Sequence, residues 1–272
     1  MTLFISLTST VFDIVLAPFG HQLAAFDLLI WPVLSGVVAL FVYKHVSNQA
    51  GIKRAKNGIQ VHLLEIVLYR DDLLGVIVST TRAMVQNALY VAFNIVPMIV
   101  MFVPMTAVLV QIIANYAYAP LPADATPLLE VQLAEGASVG ASDVQIVLPE
   151  GLQIDAGPVR TPDGQAVWRL KAKAPGDYTV TVSAGGQSEQ KGVAFGGEPR
   201  KIPVMRTQTW EAILYPGEPA LGSDSVFETI RTTYPSRALS VFPDGEGGLL
   251  AWFFVFSLAA GFALKDKLGV TL

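Results

Sequence analysis

ALYVAFNIVPMIVMFVPMTAVLVQIIA, residues 88–114, runs for twenty-seven positions without a Lys, Arg, Asp or Glu. A bilayer crossing takes about 20 apolar residues, so this stretch reads as a membrane span with length left over for tilt, kinking or protrusion. Pro97 and Pro104 remove backbone donors inside it and are its natural kink sites. Working outward, Leu28–Tyr43 and Leu249–Leu264 are also free of charged residues. A helix on the surface of a soluble domain needs a polar face, and none of the three runs supplies one. The chain therefore reads as an integral membrane protein.

Composition agrees. Of 272 residues, 52% are hydrophobic and 15% charged, against roughly 25% charged in ordinary soluble domains. A net charge of −4 argues against nucleic acid as the main partner. With no cysteine in the chain, thiolate catalysis, disulfides and cysteine-based zinc sites are excluded.

The spans are placed at residues 23–43, 88–114 and 249–264. Before them, residues 1–22 read as an amphipathic interfacial helix rather than a short span, with Leu3, Leu7, Val11 and Ile14 on one face. Residues before the first span carry no Lys or Arg, whereas the segment 44–87 carries Lys44, Lys53, Arg54, Lys56, Arg70 and Arg82, and the tail 265–272 adds Lys265 and Lys267. Positive charge stays on the cytoplasmic side. The expectation is an outside N-terminus, a cytoplasmic 44–87 segment, an outside polar region and a cytoplasmic tail. The setting expected is a bacterial inner membrane.

Within 44–87, Ile52, Ala55, Ile59, Leu63 and Ile66 form one apolar stripe, and Leu73, Leu74, Ile77, Met84 and Val85 a second. The break between them falls at Arg70-Asp71-Asp72, where an aspartate caps the second helix. The two stripes predict a helical hairpin that buries them against each other; the alternative is two helices lying on the lipid surface.

From Leu128 the period changes to two. Leu129/Val131/Leu133, Val144/Ile146/Leu148, Trp168/Leu170/Ala172 and Tyr178/Val180/Val182 alternate with mostly polar neighbours, punctuated by Pro162-Asp163-Gly164, Pro175-Gly176-Asp177, Gly185-Gly186 and Gly196-Gly197. This predicts an antiparallel β-sandwich over residues 115–205. The run Ala174–Val182 resembles the late hairpin of bacterial immunoglobulin-like domains. Residues 206–248 read as an irregular connector, with a strand possible within Phe227–Leu239. Trp210, Tyr215, Tyr234 and Trp252 suit either an interfacial aromatic belt or ordinary packing. The fold class is thus mixed: a three-span helical membrane bundle with a cytoplasmic hairpin, plus an all-β domain outside.

An outside N-terminus, one span, a basic helical hairpin and a second span, with Ser47–Lys56 running on to His62–Glu65, resembles the YidC/Oxa/Alb insertase superfamily, above all its minimal three-span members. The resemblance covers about the first 115 residues and the final span. It implies a membrane-protein biogenesis factor or accessory subunit that is not an enzyme. Its partners would be the bilayer, nascent membrane proteins or the ribosome. Bacterial insertases of this superfamily carry a basic residue inside a span; here Lys44 sits only at a span end. The intramembrane polar candidates are Ser35, Asn94 and Gln111, which either line a groove or tie helices together. The rival reading is an anchored subunit whose β-domain recognises an extracytoplasmic protein. No cofactor, metal or nucleophile motif is present: the three histidines lack ligand spacing, and the Gly-rich stretches lack a phosphate loop's Lys and Ser or Thr.

Reporter domains fused after Gly58 and after Gly164 are expected to fall on opposite sides of the membrane, the first cytoplasmic. A cytoplasmic reporter after Gly164 would overturn the orientation.

Overall fold

The computed structural model describes Thr10, residues 24–137 and residues 139–271. The expected interfacial helix of residues 1–22 lies, apart from Thr10, outside the described residues. Along the chain come α1 (Ala24–Val46), α2 (Gln49–Leu68) and α3 (Leu73–Tyr116), then β1 (Leu128–Leu133), β2 (Gln145–Val147), β3 (Leu152–Arg160) and β4 (Gln165–Ala172). β5 (Gly176–Ala184), β6 (Gln187–Phe195), β7 (Met205–Thr207), β8 (Phe227–Thr232) and α4 (Gly245–Leu264) follow. Two compact units result. One joins Leu109–Trp252 to residues 24–28; the other joins Leu29–Val108 to residues 253–271.

α1, α3 and α4 are each long and apolar enough to cross a membrane. At about 1.5 Å per residue, the 23 residues of α1 and the 20 of α4 match a hydrocarbon core of about 30 Å. α3 is different. The segment expected to end a hairpin and the segment expected to be the second span are one unbroken 44-residue helix, about 66 Å long. The boundary expected at residue 87 is absent because nothing in Gln86-Asn87-Ala88 stops a helix. Pro97 and Pro104 lie within α3 and do not end it.

In the first unit, the ladders are all antiparallel and form a five-stranded sheet, β3-β4-β1-β8-β7, and a three-stranded sheet, β2-β5-β6. Leu129 and Val131 of central β1, Trp168 and Leu170 of β4, Ile230 of β8, and Val180 and Val182 of β5 meet in one core, as period-two alternation requires. Gly185 and Gly186, with φ of 58° and 79°, make the two-residue turn between β5 and β6, a position that favours glycine. Within residues 206–248, where a strand was expected inside Phe227–Leu239, β8 pairs with β1 over Leu129–Leu133 and occupies the interior of the larger sheet. Tyr234 packs into the same core, its hydroxyl accepting from the Ala194 N–H at 3.0 Å. The belt therefore loses Tyr234, whose position is ordinary packing.

β6 escapes the alternation rule because its inward position is taken by Lys191, which is wholly buried. The ammonium pairs with Glu218 at 2.5 Å and donates to the carbonyls of Pro203 and Gly192, while Glu218 also accepts from the Gly192 N–H at 2.7 Å. Burial pushes the Lys191 pKa below its ordinary value, and Glu218 opposes that shift. The helix ends that belong to this unit carry a second buried polar cluster. Asp27 of α1 accepts from the Tyr116 hydroxyl of α3. Arg237 stacks 5.4 Å from the Tyr116 ring centre, and Trp252 of α4 donates to the Leu28 carbonyl at 2.8 Å.

Glu218→Gln is expected to cost about 3–5 kcal/mol, because it strands a buried ammonium, whereas Lys191→Met with Glu218→Leu is expected to be close to neutral. Urea unfolding of the full chain in detergent, followed by tryptophan fluorescence, separates the two; equal losses would contradict this.

Candidate functional site

The second unit holds an open-sided cleft of about 270 Å³ between α1, α3 and α4. Gly36, Leu40 and Tyr43 come from α1, and Ser257, Leu258, Gly261 and Phe262 from α4. α3 contributes Tyr90, Asn94, Met98, Met101 and Met105, which recur at three- and four-residue steps and so share one helix face. The helices meet through small residues. A Cβ on Gly36 would lie 2.2 Å from the Ser257 carbonyl oxygen, so only glycine lets α1 and α4 approach this closely. The wall is mainly apolar with one polar spot: the Tyr43 hydroxyl donates to Asn94 Oδ1, and Asn94 Nδ2 donates to the Tyr90 carbonyl at 2.6 Å.

Of the three intramembrane candidates, only Asn94 lies on the cleft. Ser35 is buried, its hydroxyl has no hydrogen-bond partner, and it borders a separate hollow of about 90 Å³ with Trp31, Pro104 and Val108. Gln111 is buried in the other unit; its Oε1 has no partner, and its backbone carbonyl accepts from Asn115 Nδ2 at 2.8 Å. Tyr43 and the methionines went unread in the sequence because they look like ordinary span residues; the repeat 94, 98, 101, 105 was the available signal.

α2 and the start of α3 form an antiparallel pair. Asn48 caps α2, its side chain accepting from the Gly51 N–H at 2.9 Å. Asp72 supplies the carbonyl for the first backbone bond of α3, from the Val76 N–H. Seven-residue steps on one helix meet seven-residue steps on the other. A Cβ on Gly51 would touch Phe93, and one on Gly58 would lie 2.8 Å from the Gln86 side chain. Glu65 accepts from Ser79 Oγ at 2.9 Å and pairs with His62 at 2.8 Å. The predicted apolar stripes are therefore only partly buried. Ile52 and Ala55 are buried, but Leu63, Leu73, Leu74, Ile77, Met84 and Val85 face outward, Leu74 at 75% exposure. The physical reason lies in the seam itself: the Phe93 and Gln86 side chains fill the space over Gly51 and Gly58, Glu65 meets Ser79, and the aliphatic stripes are left outside.

The six basic candidates Lys44, Lys53, Arg54, Lys56, Arg70 and Arg82 are all exposed. Lys44 donates to the Leu268 carbonyl at 2.7 Å, and Arg54 to that of Ala50 at 3.4 Å. Hydrogen bonds from His62 and then Ser79 hold the Glu65 carboxyl below its ordinary pKa, with Arg82 adding to them. Among the described residues, no group of three or more His, Cys, Asp or Glu is placed to hold a metal ion. In the first unit a hollow of about 480 Å³ is lined by Glu135, Asp163 and Glu228, with Gln132 and Gly164.

Compared with known proteins, the chain matches no family model, no curated protein and no solved structure.

Gly58→Leu is expected to force α2 from α3 and lower the thermal midpoint of the detergent-solubilised chain; Leu74→Ala, on the outer face, should leave it nearly unchanged. Because the folded Glu65 pKa is lowered, its contribution to the hairpin is present above the ordinary Glu range near 4.3 and is lost as pH falls through the lowered value. Glu65→Gln should remove that part of the acid transition. An unaltered acid transition in Glu65→Gln would contradict the assignment.

Proposed function

We propose that this chain is an insertase-like membrane-protein biogenesis factor or accessory subunit of the YidC/Oxa/Alb type, whose cleft receives an apolar helical segment of a client. The open-sided, methionine-lined cleft between three membrane-capable helices carries this reading. Methionine is unbranched and polarizable, so a methionine wall adapts to apolar side chains of many shapes. Asn94 and Tyr43 add a polar spot where a client's backbone or polar side chain finds a partner, lowering the cost of passing polar groups through lipid. No catalytic residue is needed for that task.

On this reading α1, α3 and α4 cross a bacterial inner membrane with the hairpin and tail in the cytoplasm and the β-domain, an immunoglobulin-like sandwich, outside. The hairpin's exposed basic residues and outward leucines form the surface that meets nascent chain, ribosome or targeting factor. One observation favours a second reading, a membrane-anchored binding subunit. The hollow lined by Glu135, Asp163 and Glu228 offers three carboxylates to a cationic extracytoplasmic partner.

A photoreactive side chain at Met101, in full-length protein reconstituted into liposomes, is expected to capture the apolar helix of a newly translated membrane protein and not a polar replacement of that helix. Capture from Asp163 of a partner protein, with none from Met98, Met101 or Met105, would favour the binding subunit and remove the insertase reading.

A further inference from the structure

The stretch after α4 is folded, and what it covers is the end of the cleft. The Lys265 N–H bonds to the Gly261 carbonyl and the Leu268 N–H to that of Leu264. The chain then turns at Gly269, φ 65°, and the Val270 N–H returns to the Lys265 carbonyl at 2.9 Å, a glycine-dependent helix stop. This turn drives Leu268 and Val270 back into the bundle. Val270 is buried with Leu40, Tyr43 and Ile52, and Tyr90, Phe93, Met101, Leu264 and Leu268 pack on that cluster. Four of these residues, Leu40, Tyr43, Tyr90 and Met101, also line the cleft.

Two hydrogen bonds fasten the segment to the junction of α1 and α2. Lys44 donates to the Leu268 carbonyl at 2.7 Å. Gln49 accepts from the Thr271 N–H at 2.7 Å, and its amide nitrogen is itself held by Ser47. Gln49 is the first residue of α2, so any shift of that helix end acts directly on this fastening.

We infer that residues 265–271 are a strap that closes the Tyr43–Tyr90 end of the cleft, latched by Lys44 and Gln49 and displaced when a client helix enters. The inference rests on the cleft being the client's seat and assigns its regulation. Leu268 and Val270 occupy apolar surface that a client helix would use, so strap and client compete for the same side chains. Movement of the α2 start weakens the latch and shifts that competition toward the client. The hairpin then reports arrival to the cleft through Gln49.

The absence of native cysteine makes the test clean. A photoreactive side chain at Met98 lines the cleft without belonging to the cluster under the strap. Capture of a model apolar-helix precursor is compared in liposomes for the parent chain, a released form (Gln49→Ala with Val270→Asp) and a locked form. The locked form joins Gln49→Cys to Thr271→Cys through a reducible bismaleimide. Release should raise the capture rate about fivefold or more, the factor expected when a contact set of this size is removed. Locking should suppress capture, and reduction should restore it. Equal capture in all three forms overturns the strap while leaving the cleft as client site. Capture in none of them removes the client reading, and the strap with it.

Discussion

Beside one apolar cluster around Ile52 and Val270, the helical unit places small and polar residues at several helix contacts and turns many large apolar side chains outward. Gly36 lies against the Ser257 carbonyl, and Gly58 against Gln86; Glu65 bonds to Ser79. Outward stand Phe41, Ile99, Phe102 and Phe262, each more than half exposed. In water this arrangement is upside down, since the gain from burying aliphatic surface would be forfeited. In lipid it is the expected one. Tails are as apolar as leucine, so helices associate through close backbone approach and hydrogen bonds between polar side chains. The cleft follows from the same rule: small residues draw α1 and α4 together, and the bulkier methionine face of α3 leaves the gap beside them.

Length then decides how far lipid extends along α3. The helix is about 66 Å long, and a hydrocarbon core is about 30 Å thick. α1 pairs with α3 at Tyr43 and Asn94, and α2 takes over toward the N-terminus of α3, from Gly51 beside Phe93 to Glu65 beside Ser79. One helix thus serves both as a membrane-capable segment and as an arm of the hairpin. Whatever moves the hairpin acts on the same continuous helix that carries Asn94, Met98 and Met101.

The β-unit obeys the opposite rule. Its aliphatic residues are inside, and its buried charged groups come with partners: Lys191 with Glu218, Asp27 with Tyr116. These differences in packing logic explain which parts were legible beforehand. The spans were plain from the missing charges, and β1, β4 and β5 from alternation. β6 was hidden because a paired lysine took an inward place. β8 was legible as a strand within Phe227–Leu239, but not its pairing with β1, which only the folded sheet gives. The helix break at residues 70–72 was legible, but the expected end at residue 87 was not there, and the faces were assigned as if water surrounded them; the glycines at 51 and 58 and the polar residues 65, 79 and 86 held the contrary signal. Asn94 was legible as a polar residue in an apolar run. Tyr43 and the methionines were not, because only the neighbouring helices give them a common side.

The central claim is that the bundle provides a path for apolar helices into the bilayer, and insertion by the isolated protein tests it most directly. Liposomes carrying this chain alone, mixed with a newly synthesised single-span precursor, should give protease-protected precursor faster than empty liposomes do. Filling the cleft with Gly261→Trp should return the rate toward that of the empty liposomes. Equal rates with and without the protein, measured at full reconstitution, would contradict the account.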